Sequence, residues 1–597
     1  MYKLDKPDNL VEMLEESIAR YSSNEWFGVK SKDNTYKWYT YKEIGERIDN
    51  LRGGLGYLGI GNGDAVGIIS NNRVEWAIAC YATYGLRARF VPMYEAELVS
   101  TWEYIIRDSN IKVLFVSKQE IYDKIQHLLH GASDLVHIIL IDGDVEGSIA
   151  ELERTGKKYP MKSIIPHPDD IAGLIYTSGT TGDPKGVLLS HGNISSNIHA
   201  ILKSFHVLNE KDRTLSFLPW AHSYGQVCEL HTIMRLGASY GLAESPATIV
   251  NDLALIRPTL LISVPRIFYR VYDAIKAKMS EDGGLPLLLF NMGVKNGLKR
   301  RELAQSGKTS ILATIAFTIA DKLVFTKIRD KFGGRLKVAL TGSAAINPQI
   351  AEFFSIVGVP LYEAFGMTEA SPGVATNTPD YNKFGSCGKA FDMVTLVIDR
   401  SNENEEGKEG ELIIYGPNVM KGYHNKPEAT KDVLTEDGGL RTGDRAFIDE
   451  EGFMYITGRI KESFKLENGK YIFPASIEAE IMMNKYVEQA MICGLNKPYP
   501  VCIIVPDFNI LEKYAGENNL SADHEKMIRQ DEITSLIKKE ITQQIAGKVG
   551  SYEMPRRFLI LQDVFSVDNG MLTQSFKLKR KKVMEKYAAE IDALYAD

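Results

Sequence analysis

Cysteine is scarce in this sequence of 597 residues, which contains only five. Cys80, Cys228, Cys387, Cys493 and Cys502 are widely spaced, their number is odd, and no Cys-x-x-Cys pair occurs. That pattern excludes the disulfide framework of small secreted domains and the paired cysteines of a zinc site. We therefore expect free thiols in a reducing compartment.

Long apolar runs and an excess of positive charge are also missing. No uninterrupted apolar stretch reaches the about 18 residues that a transmembrane helix needs. Residues 1–7 lack the apolar core of a signal peptide. The formal net charge is −7 and the pI is about 6.0, which gives no support for nucleic-acid binding. The expected compartment is the cytoplasm, and no nucleic-acid partner is expected.

The sequence does contain a long run of small and hydroxylated residues after an apolar stretch. Residues 171–176 predict a buried strand. The anion-binding candidates that follow are Thr177, Ser178, Gly179, Thr180, Thr181, Gly182 and Lys185. Glycine lets backbone N–H groups turn toward an anion, the hydroxyls add donors, and the lysine adds charge. This is not a Walker A loop, because no Gly-Lys-Ser/Thr ends it; its length and order nevertheless indicate a polyphosphate site.

Two later segments combine an apolar strand with a turn of small or polar residues. The strand in residues 336–345 runs into Gly342, Ser343 and Ala344. The strand in residues 360–369 runs into Phe365, Gly366, Thr368 and Glu369. An aromatic ring can stack on a flat base, and a carboxylate suits Mg²⁺, which prefers carboxylate and phosphate oxygens. These segments indicate a nucleotide site.

These segments together resemble the adenylate-forming (AMP-binding) enzymes, which include acyl-CoA synthetases, firefly-type luciferases and peptide-synthetase adenylation domains. The resemblance spans residues 25–590, rests on several motifs in the expected order, and is strongest to the long-chain fatty acyl-CoA synthetases. Two positions depart from the family pattern. Phe365 stands where tyrosine is commoner, and Gln574 stands where a proline is usual.

The resemblance implies roles for individual residues. ATP would be bound by residues 177–182 and 342–344 and by Phe365, Gly366 and Thr368. Asp444 would accept hydrogen bonds from the ribose hydroxyls, since a carboxylate is acceptor-only. Arg459 would face the ribose or a phosphate. Thr177 and Glu369 would hold Mg²⁺.

The resemblance also implies which residues act in catalysis: Lys577, Lys185, Glu369 and His222. Lys577 matches the family's catalytic lysine. His222 follows Pro219 in an apolar segment, a pattern that alone is typical of a core histidine with one satisfied nitrogen. By resemblance it would lie at the mouth of an acyl pocket, beside the reacting carboxylate.

Strands and helices alternate between residues 65 and 141, which predicts βαβ units and a parallel sheet. Short strands between residues 384 and 455 predict a small antiparallel barrel or sheet, and a long helix is expected over residues 525–546. We expect an α/β fold with a large domain of residues 1–457 and a small mobile α/β domain of residues 462–597. By resemblance, residues 458–461 form the hinge, with Lys461 as its pivot.

Residues 280–330 predict a helical insertion similar to that of the long-chain group. Its basic residues are Lys295, Lys299, Arg300, Arg301 and Lys308, against the single acid Glu302. A helical stripe follows, made of Ile311, Leu312, Ile315, Ala316, Ile319, Leu323 and Val324. Such a pattern is typical of an interfacial helix in reversible, peripheral contact with the inner face of a membrane. Amphipathic stripes are, however, usually core-facing, which favours helices that simply pack on the large domain; both interpretations stay open.

The expected function is ATP-dependent activation of a long-chain fatty acid to acyl-AMP with release of pyrophosphate, followed by transfer to CoA. ATP, Mg²⁺ and CoA are the expected cofactors and co-substrates. Three alternatives remain. The acid could be medium-chain or aryl, the acyl group could pass to a carrier protein, or the chain could bind acyl groups or nucleotides without catalysis.

Overall fold

The computed structural model describes residues 8–131, 133–177, 183–245, 248–401, 408–566, 569–573 and 578–596. The chain has an α/β fold, as predicted, with a large N-terminal part and a small C-terminal part. Some candidate site residues lie outside the described residues: Ser178, Gly179, Thr180, Thr181, Gly182 and Lys577.

The largest sheet has seven strands and is parallel through its centre, as the alternation of strands and helices predicts. Its strand Ala65–Ile69 is buried along its whole length, because helices cover both faces of a parallel sheet. In spatial order the strands are Gly422–Tyr423, Lys185–Ser190, Ile171–Thr177, Arg89–Met93, Ala65–Ile69, Ile111–Val116 and His137–Leu140.

Two further mixed sheets complete the core of the large part. The five-stranded sheet contains, in order, Leu260–Ser263, Val338–Thr341, Leu361–Gly366, Gly373–Thr376 and Lys389–Ala390. The four-stranded sheet contains Tyr36–Thr40, Glu25–Lys30, Ser239–Leu242 and Arg213–Ser216. In the five-stranded sheet the first three strands run parallel. The turns that follow the second and third strands therefore meet at one edge of the sheet.

The antiparallel part is a four-stranded sheet, in agreement with the expected change of pattern. Its strands are Thr395–Asp399, Gly410–Tyr415, Leu440–Ile448 and Met454–Arg459. A short 3₁₀ turn, Ile460–Glu462, follows directly. The chain then enters a two-stranded ribbon of Phe464–Lys465 and Tyr471–Ile472.

The C-terminal part is built on a three-stranded sheet with its own apolar core. The strands are Val487–Cys493, Val501–Pro506 and Arg557–Ile560. The helices are Pro474–Ile481, Phe508–Glu517, His524–Met527, Asp531–Ile545, Arg580–Lys586 and Ala588–Ala593. The single helix expected over residues 525–546 is therefore two helices. They are separated by residues 528–530. Asp531 and Glu532 lie in the first turn of the second helix, where their carboxylates stabilise the helix N-terminus.

Several helices of the large part begin at a capping residue. Thr40 with Glu43, and Ser190 with Asn193, form capping boxes. The helices are Leu10–Tyr21, Tyr41–Tyr57, Val74–Tyr84, Val99–Asp108, Gln119–Ile125, Ile149–Lys158, His191–Ser204, Thr232–Leu236, Ile249–Ile256, Pro265–Asp282, Gly284–Gln305, Ile311–Ala320, Thr326–Lys331, Pro348–Ile356 and Pro427–Lys431. Among the described residues, no helix combines the length and apolar character needed to cross a bilayer.

Candidate active site

A β-hairpin carries the ends of the predicted phosphate loop. Its strands Ile171–Thr177 and Lys185–Ser190 are antiparallel, and Thr177 pairs directly with Lys185. Residues 178–182, which connect the two strands, lie outside the described part of the chain. The hairpin thus brings Thr177 and Lys185 together at the base of the loop.

Lys185 is connected to Glu369 through Tyr423. The Lys185 Nζ lies 4.9 Å from the centre of the Tyr423 ring, and the Tyr423 hydroxyl donates a hydrogen bond of 2.8 Å to Glu369 Oε1. Burial, with the neighbouring Glu369 carboxylate, raises the pKa of Tyr423, so the phenol stays a donor. Tyr423 reaches this position because strand Gly422–Tyr423 pairs with Val187 and Leu188.

Thr368 is hydrogen-bonded to a residue that motif reasoning did not single out. Its Oγ1 lies 2.9 Å from the Ser223 hydroxyl, and both residues are buried. Ser223 directly precedes the π-helix Tyr224–His231, an element that occurs frequently at functional sites. The hydrogen bond between Ser223 and Thr368 joins the apolar segment that carries His222 to the turn that carries Glu369.

His222 is half-buried and held in one orientation by its own backbone. The Tyr224 N–H donates a hydrogen bond of 3.1 Å to His222 Nδ1. Because Nδ1 accepts, a neutral ring carries its proton on Nε2. His222 can therefore donate a hydrogen bond from Nε2.

The turn of Gly342, Ser343 and Ala344 follows strand Val338–Thr341 at the edge of the five-stranded sheet. Ser343 has a positive φ of 69°, in the left-handed region. A Cβ at position 342 would lie 3.4 Å from both the Tyr224 ring and the carbonyl oxygen of Ala364. Phe365 and Gly366 end the neighbouring parallel strand Leu361–Gly366. The structure therefore brings these two predicted segments to one sheet edge.

Asp444 and Arg459 face each other across two antiparallel strands. They are direct partners in the ladder, and Arg459 Nε lies 3.1 Å from Asp444 Oδ1. The Asp444 side chain is only 4% exposed, whereas that of Arg459 is 47% exposed. A buried carboxylate with an accessible guanidinium beside it can bind a polyhydroxyl or phosphate group.

Two buried carboxyl groups near the site were not predicted from the sequence. Burial raises the pKa of Glu363 to about 8, although the Ile346 N–H donates to it at 3.3 Å. Burial also raises the pKa of Glu229 to about 8. Strand Leu361–Gly366 carries the first and the π-helix the second. No local motif marks either residue, since both depend on which elements pack together.

Lys461 lies in the 3₁₀ turn Ile460–Glu462, between the antiparallel sheet and the C-terminal part. Contacts between the large part and the C-terminal part include Asn347 Nδ2 to Glu480 at 3.2 Å and Arg266 to Glu488 at 3.3 Å. The Arg445 guanidinium also lies 4.8 Å from the centre of the Phe473 ring. Lys577 lies outside the described residues. The flanking residues Leu572 and Leu578 pair as an antiparallel bridge.

Metal binding would depend on few protein ligands. Within the described ranges, no group of three or more His, Cys, Asp and Glu side chains is placed to hold a metal ion. Mg²⁺ is often held by one or two carboxylates together with substrate phosphates. Glu369, oriented by Tyr423 close to Lys185, has the chemistry that such a site requires.

Comparison with known proteins gives matches along nearly the whole chain. Residues 14–424 match the AMP-binding enzyme family, and residues 462–597 match the AMP-binding enzyme C-terminal domain. Fatty acyl-CoA synthetase A of Dictyostelium discoideum is 30% identical over 97% of this chain and 90% of its own length. Long-chain-fatty-acid–CoA ligase 5 of Rattus norvegicus is 29% identical over 100% of this chain and 90% of its own.

Solved structures share the fold at lower identity. The anthranilate CoA ligase AuaEII in complex with anthranoyl-AMP has a TM-score of 0.75 and 21% identity, covering 99% of this chain and 100% of its own. The adenylation domain of a carboxylate reductase from Mycobacterium chelonae has a TM-score of 0.79 and 22% identity, covering 99% and 92%.

Proposed function

The chain belongs to the family of AMP-binding enzymes, and from that premise we propose that it is an AMP-forming ligase that joins a long-chain fatty acid to CoA. The observation that carries the proposal is the connected cluster of Lys185, Tyr423 and Glu369 at the base of the phosphate loop. It combines a cation with an oriented carboxylate beside a predicted polyphosphate site.

The proposed reaction has two steps. The fatty acid carboxylate oxygen attacks the α-phosphorus of ATP, and pyrophosphate leaves as the P–O bond to it breaks. The CoA thiolate then attacks the acyl carbon, and AMP leaves. Charge that develops on the phosphoryl oxygens needs fixed donors and cations. We assign that role to Lys185, to the loop N–H groups and to Lys577.

Glu369 and Thr177 would hold Mg²⁺. The ion, when bound with ATP, would neutralise charge on the phosphate oxygens. Tyr423 keeps one oxygen of Glu369 in place through its hydrogen bond, as outer partners of metal ligands commonly do. His222, with Nε2 as donor, would face the substrate carboxylate.

The nucleotide would lie between the sheet edge and the antiparallel sheet. In this proposal Phe365 stacks on the adenine, residues 342–344 and Gly366 lie against the ring, and Thr368 reaches a phosphate. Asp444 accepts from the ribose hydroxyls, and Arg459 faces the ribose or a phosphate. Residues 1–457 and 462–597 would act as two domains, joined at 458–461.

A long-chain acid is supported by the names of relatives that align over nearly the full chain and by the helices within residues 280–330. Such an acid partitions into lipid, so the proposal extends to reversible contact with a lipid surface. A medium-chain or aryl acid, or a carrier protein as acyl acceptor, would use the same first step.

Pyrophosphate release with a panel of acids, with and without CoA, tests the proposed function. Each methylene that is buried contributes about 0.8 kcal/mol, so kcat/KM should rise roughly fourfold per added methylene until the pocket is filled. Equal rates with acetate and palmitate, or a preference for an aryl acid, would contradict the long-chain proposal. Acyl-AMP that accumulates in the presence of CoA would indicate a carrier protein as acceptor.

The role of Lys577 is tested by separating the two steps. Lys577→Ala should slow acyl-AMP formation roughly 10²–10³-fold, as loss of one transition-state donor does. It should affect the conversion of supplied acyl-AMP and CoA much less. Lys579→Ala is the control, because Lys579 precedes helix Arg580–Lys586 close to Lys577. If Lys579→Ala blocks adenylation and Lys577→Ala does not, the catalytic lysine is Lys579, and the family motif is displaced after Gln574.

A further inference from the structure

The helix Ile311–Ala320 and the turn that continues it expose a row of large apolar side chains. Their exposed fractions are 78% for Ile311, 81% for Leu312, 53% for Ile315, 45% for Ile319 and 50% for Leu323. The spacing of these positions places them on one face of the helix. Most of the stripe that the sequence predicts therefore faces solvent.

The opposite face of the same helix already holds it on the protein. Ala313, Ala320 and Val324 are buried, and Phe317 packs against the apolar core cluster that contains Phe290 and Phe325. Helix Gly284–Gln305 approaches closely at Gly293, where an added Cβ would lie 2.6 Å from the Cβ of Ala320. The exposed row is thus not needed for packing within this chain. A helix that is apolar on both faces is usually covered on both.

The helical segment that carries this row is rich in positive charge. Helix Ile311–Ala320 carries no charged residue, while residues 283–320 contain five basic residues and only Glu302 as an acid, in a chain of net charge −7. Arg300 and Arg301 stack on Phe317 and Phe384, at 4.4 and 3.8 Å from the ring centres. Among the basic side chains of residues 283–325, Lys295, Lys299, Lys308 and Lys322 are exposed to solvent. Asp321, an acid in the same range, pairs with Arg329.

We propose that this helical hairpin, Gly284–Gln305 with Ile311–Ala320, is a docking surface for an anionic lipid bilayer. The apolar row would enter the boundary between headgroups and acyl chains, and the lysines would contact anionic headgroups. A second copy of the chain fits less well, because a symmetric contact through the row would bring two lysine clusters together. This docking surface rests on the proposed function in one respect: a long-chain acid partitions into lipid, so its ligase would find its substrate there.

Co-sedimentation of the full chain with vesicles tests the surface directly. Vesicles of phosphatidylcholine mixed with phosphatidylglycerol should bind the protein at low salt, and vesicles of phosphatidylcholine alone should bind it much less. The variant Leu312→Glu, Ile315→Glu and Ile319→Glu should lose at least tenfold in partitioning, roughly what the burial of even one such side chain contributes. Glutamate is a good helix former, and the replaced side chains are exposed, so the fold should persist.

Matched controls carry the same changes elsewhere on the surface. Leu98→Glu, Val250→Glu and Leu255→Glu alter three other exposed apolar residues and should bind vesicles as the unchanged protein does. Lys295→Glu with Lys299→Glu should lower partitioning by tenfold or more, since each basic residue near the surface is worth roughly a fivefold change. Lys157→Glu with Lys158→Glu, on an exposed helix end, should have little effect.

Three outcomes would overturn the docking surface. The unchanged protein does not bind anionic vesicles, the row variant binds as well as its control, or the row variant only converts a dimer into a monomer in sedimentation velocity. Pyrophosphate release with a water-soluble medium-chain acid, without lipid, is measured in parallel and should be equal in all variants. If the proposed function is wrong, pyrophosphate release is absent in the unchanged protein and in all variants. Vesicle binding is measured without substrate, so its result is independent of that outcome.

Discussion

Tyr423 is the residue through which the two charged members of the candidate site are coupled. Its ring lies under the Lys185 ammonium, and its hydroxyl donates to Glu369. The contact with the ring holds the lysine by a cation–π interaction, and the hydrogen bond fixes the carboxylate. The two functions of the side chain can therefore be separated, because phenylalanine keeps the ring and removes the hydroxyl.

We expect Tyr423→Phe to weaken Mg²⁺ activation by about tenfold or more, as the loss of an outer partner of a metal ligand does. The apparent Mg²⁺ affinity, measured from pyrophosphate release against metal concentration, should fall while the fatty acid KM stays unchanged. Tyr415→Phe is the control, because Tyr415 also donates to a carboxylate, that of Asp437, but in an exposed turn. An unaltered Mg²⁺ dependence in Tyr423→Phe would remove Tyr423 from the metal site.

Glu229 holds the segment that leads to His222. One of its oxygens accepts hydrogen bonds from Ser216 at 2.6 Å and from the Trp220 indole at 2.9 Å, and the side chain is fully buried. Burial raises its pKa from an ordinary value of 4.5 to about 8. The folded protein thus binds this proton more tightly than the unfolded chain does. The contribution of Glu229 to the free energy of unfolding falls as pH rises from about 4.5 to about 8.

Glu229→Gln should remove that pH dependence, since the amide oxygen still accepts from Ser216 and Trp220 but does not ionise. We expect the Tm of the variant, relative to that of the unchanged protein, to be higher at about pH 8 than at about pH 5. These two pH values lie roughly at the ends of the window in which the Glu229 contribution changes. The exposed Glu46→Gln should give the same difference at both pH values. A constant difference for Glu229→Gln would show that Glu229 ionises normally in the folded protein.

The sequence identifies candidate site residues where a local motif contains them, and their roles stay predictions. Phe365 ends one strand and Thr368 and Glu369 follow it, and this strand and turn could be identified from residue types alone. Ser223 and Tyr423 could not, because each reaches the site through a contact with a residue far away along the chain. A single polar residue in an apolar segment gives no signal until the packing of the elements is known.

Strand pairing explains why Asp444 and Arg459 come together. The antiparallel register places them opposite each other, so the ion pair depends on the whole hairpin. The alternation of strands and helices, the antiparallel sheet and the capping box at Thr40 could be predicted, because each depends on neighbouring residues. The outward orientation of the row from Ile311 to Leu323 could not. Periodicity shows that a helix has an apolar face, but not which face the rest of the chain covers.

Asp444→Asn should weaken ATP binding, because the amide has one acceptor oxygen where the carboxylate has two and it no longer matches the charge of Arg459. A hydrogen bond to a charged group is worth about 1.5–3 kcal/mol, so kcat/KM for ATP should fall roughly ten- to a hundredfold. The preference for ATP over 2′-deoxy-ATP should shrink as well, in the same pyrophosphate-release assay. Asp437→Asn, in an exposed turn of the same sheet, should change neither quantity. An unchanged nucleotide preference would mean that Asp444 does not contact the ribose.

At the scale of the whole molecule, the large part and the C-terminal part touch through few described polar contacts. Arg266 with Glu488 is an ion pair of partly exposed side chains, and such pairs are worth about 0–1 kcal/mol. Asn347 shares Glu480 with Gln544 and Lys548 of the C-terminal part. Other contacts also join the two parts, since Met483 packs against a core cluster of the large part and Arg445 lies over the Phe473 ring. We propose that the C-terminal part rotates about the turn Ile460–Glu462.

Lys461→Pro tests whether that rotation separates the two half-reactions. In the proposed mechanism Lys577 acts at the α-phosphate and the thiol of CoA at the neighbouring acyl carbon, and we propose that the C-terminal part closes in a different arrangement for each step. Proline fixes φ near −65°, so it blocks a large change in backbone angle, whereas Lys461→Ala leaves the turn free. We expect Lys461→Pro to slow thioester formation from acyl-AMP far more than acyl-AMP formation, as measured in separate single-turnover assays. Lys461→Ala should slow neither step strongly, and equal slowing of both steps by Lys461→Pro would place the pivot at another residue of the junction.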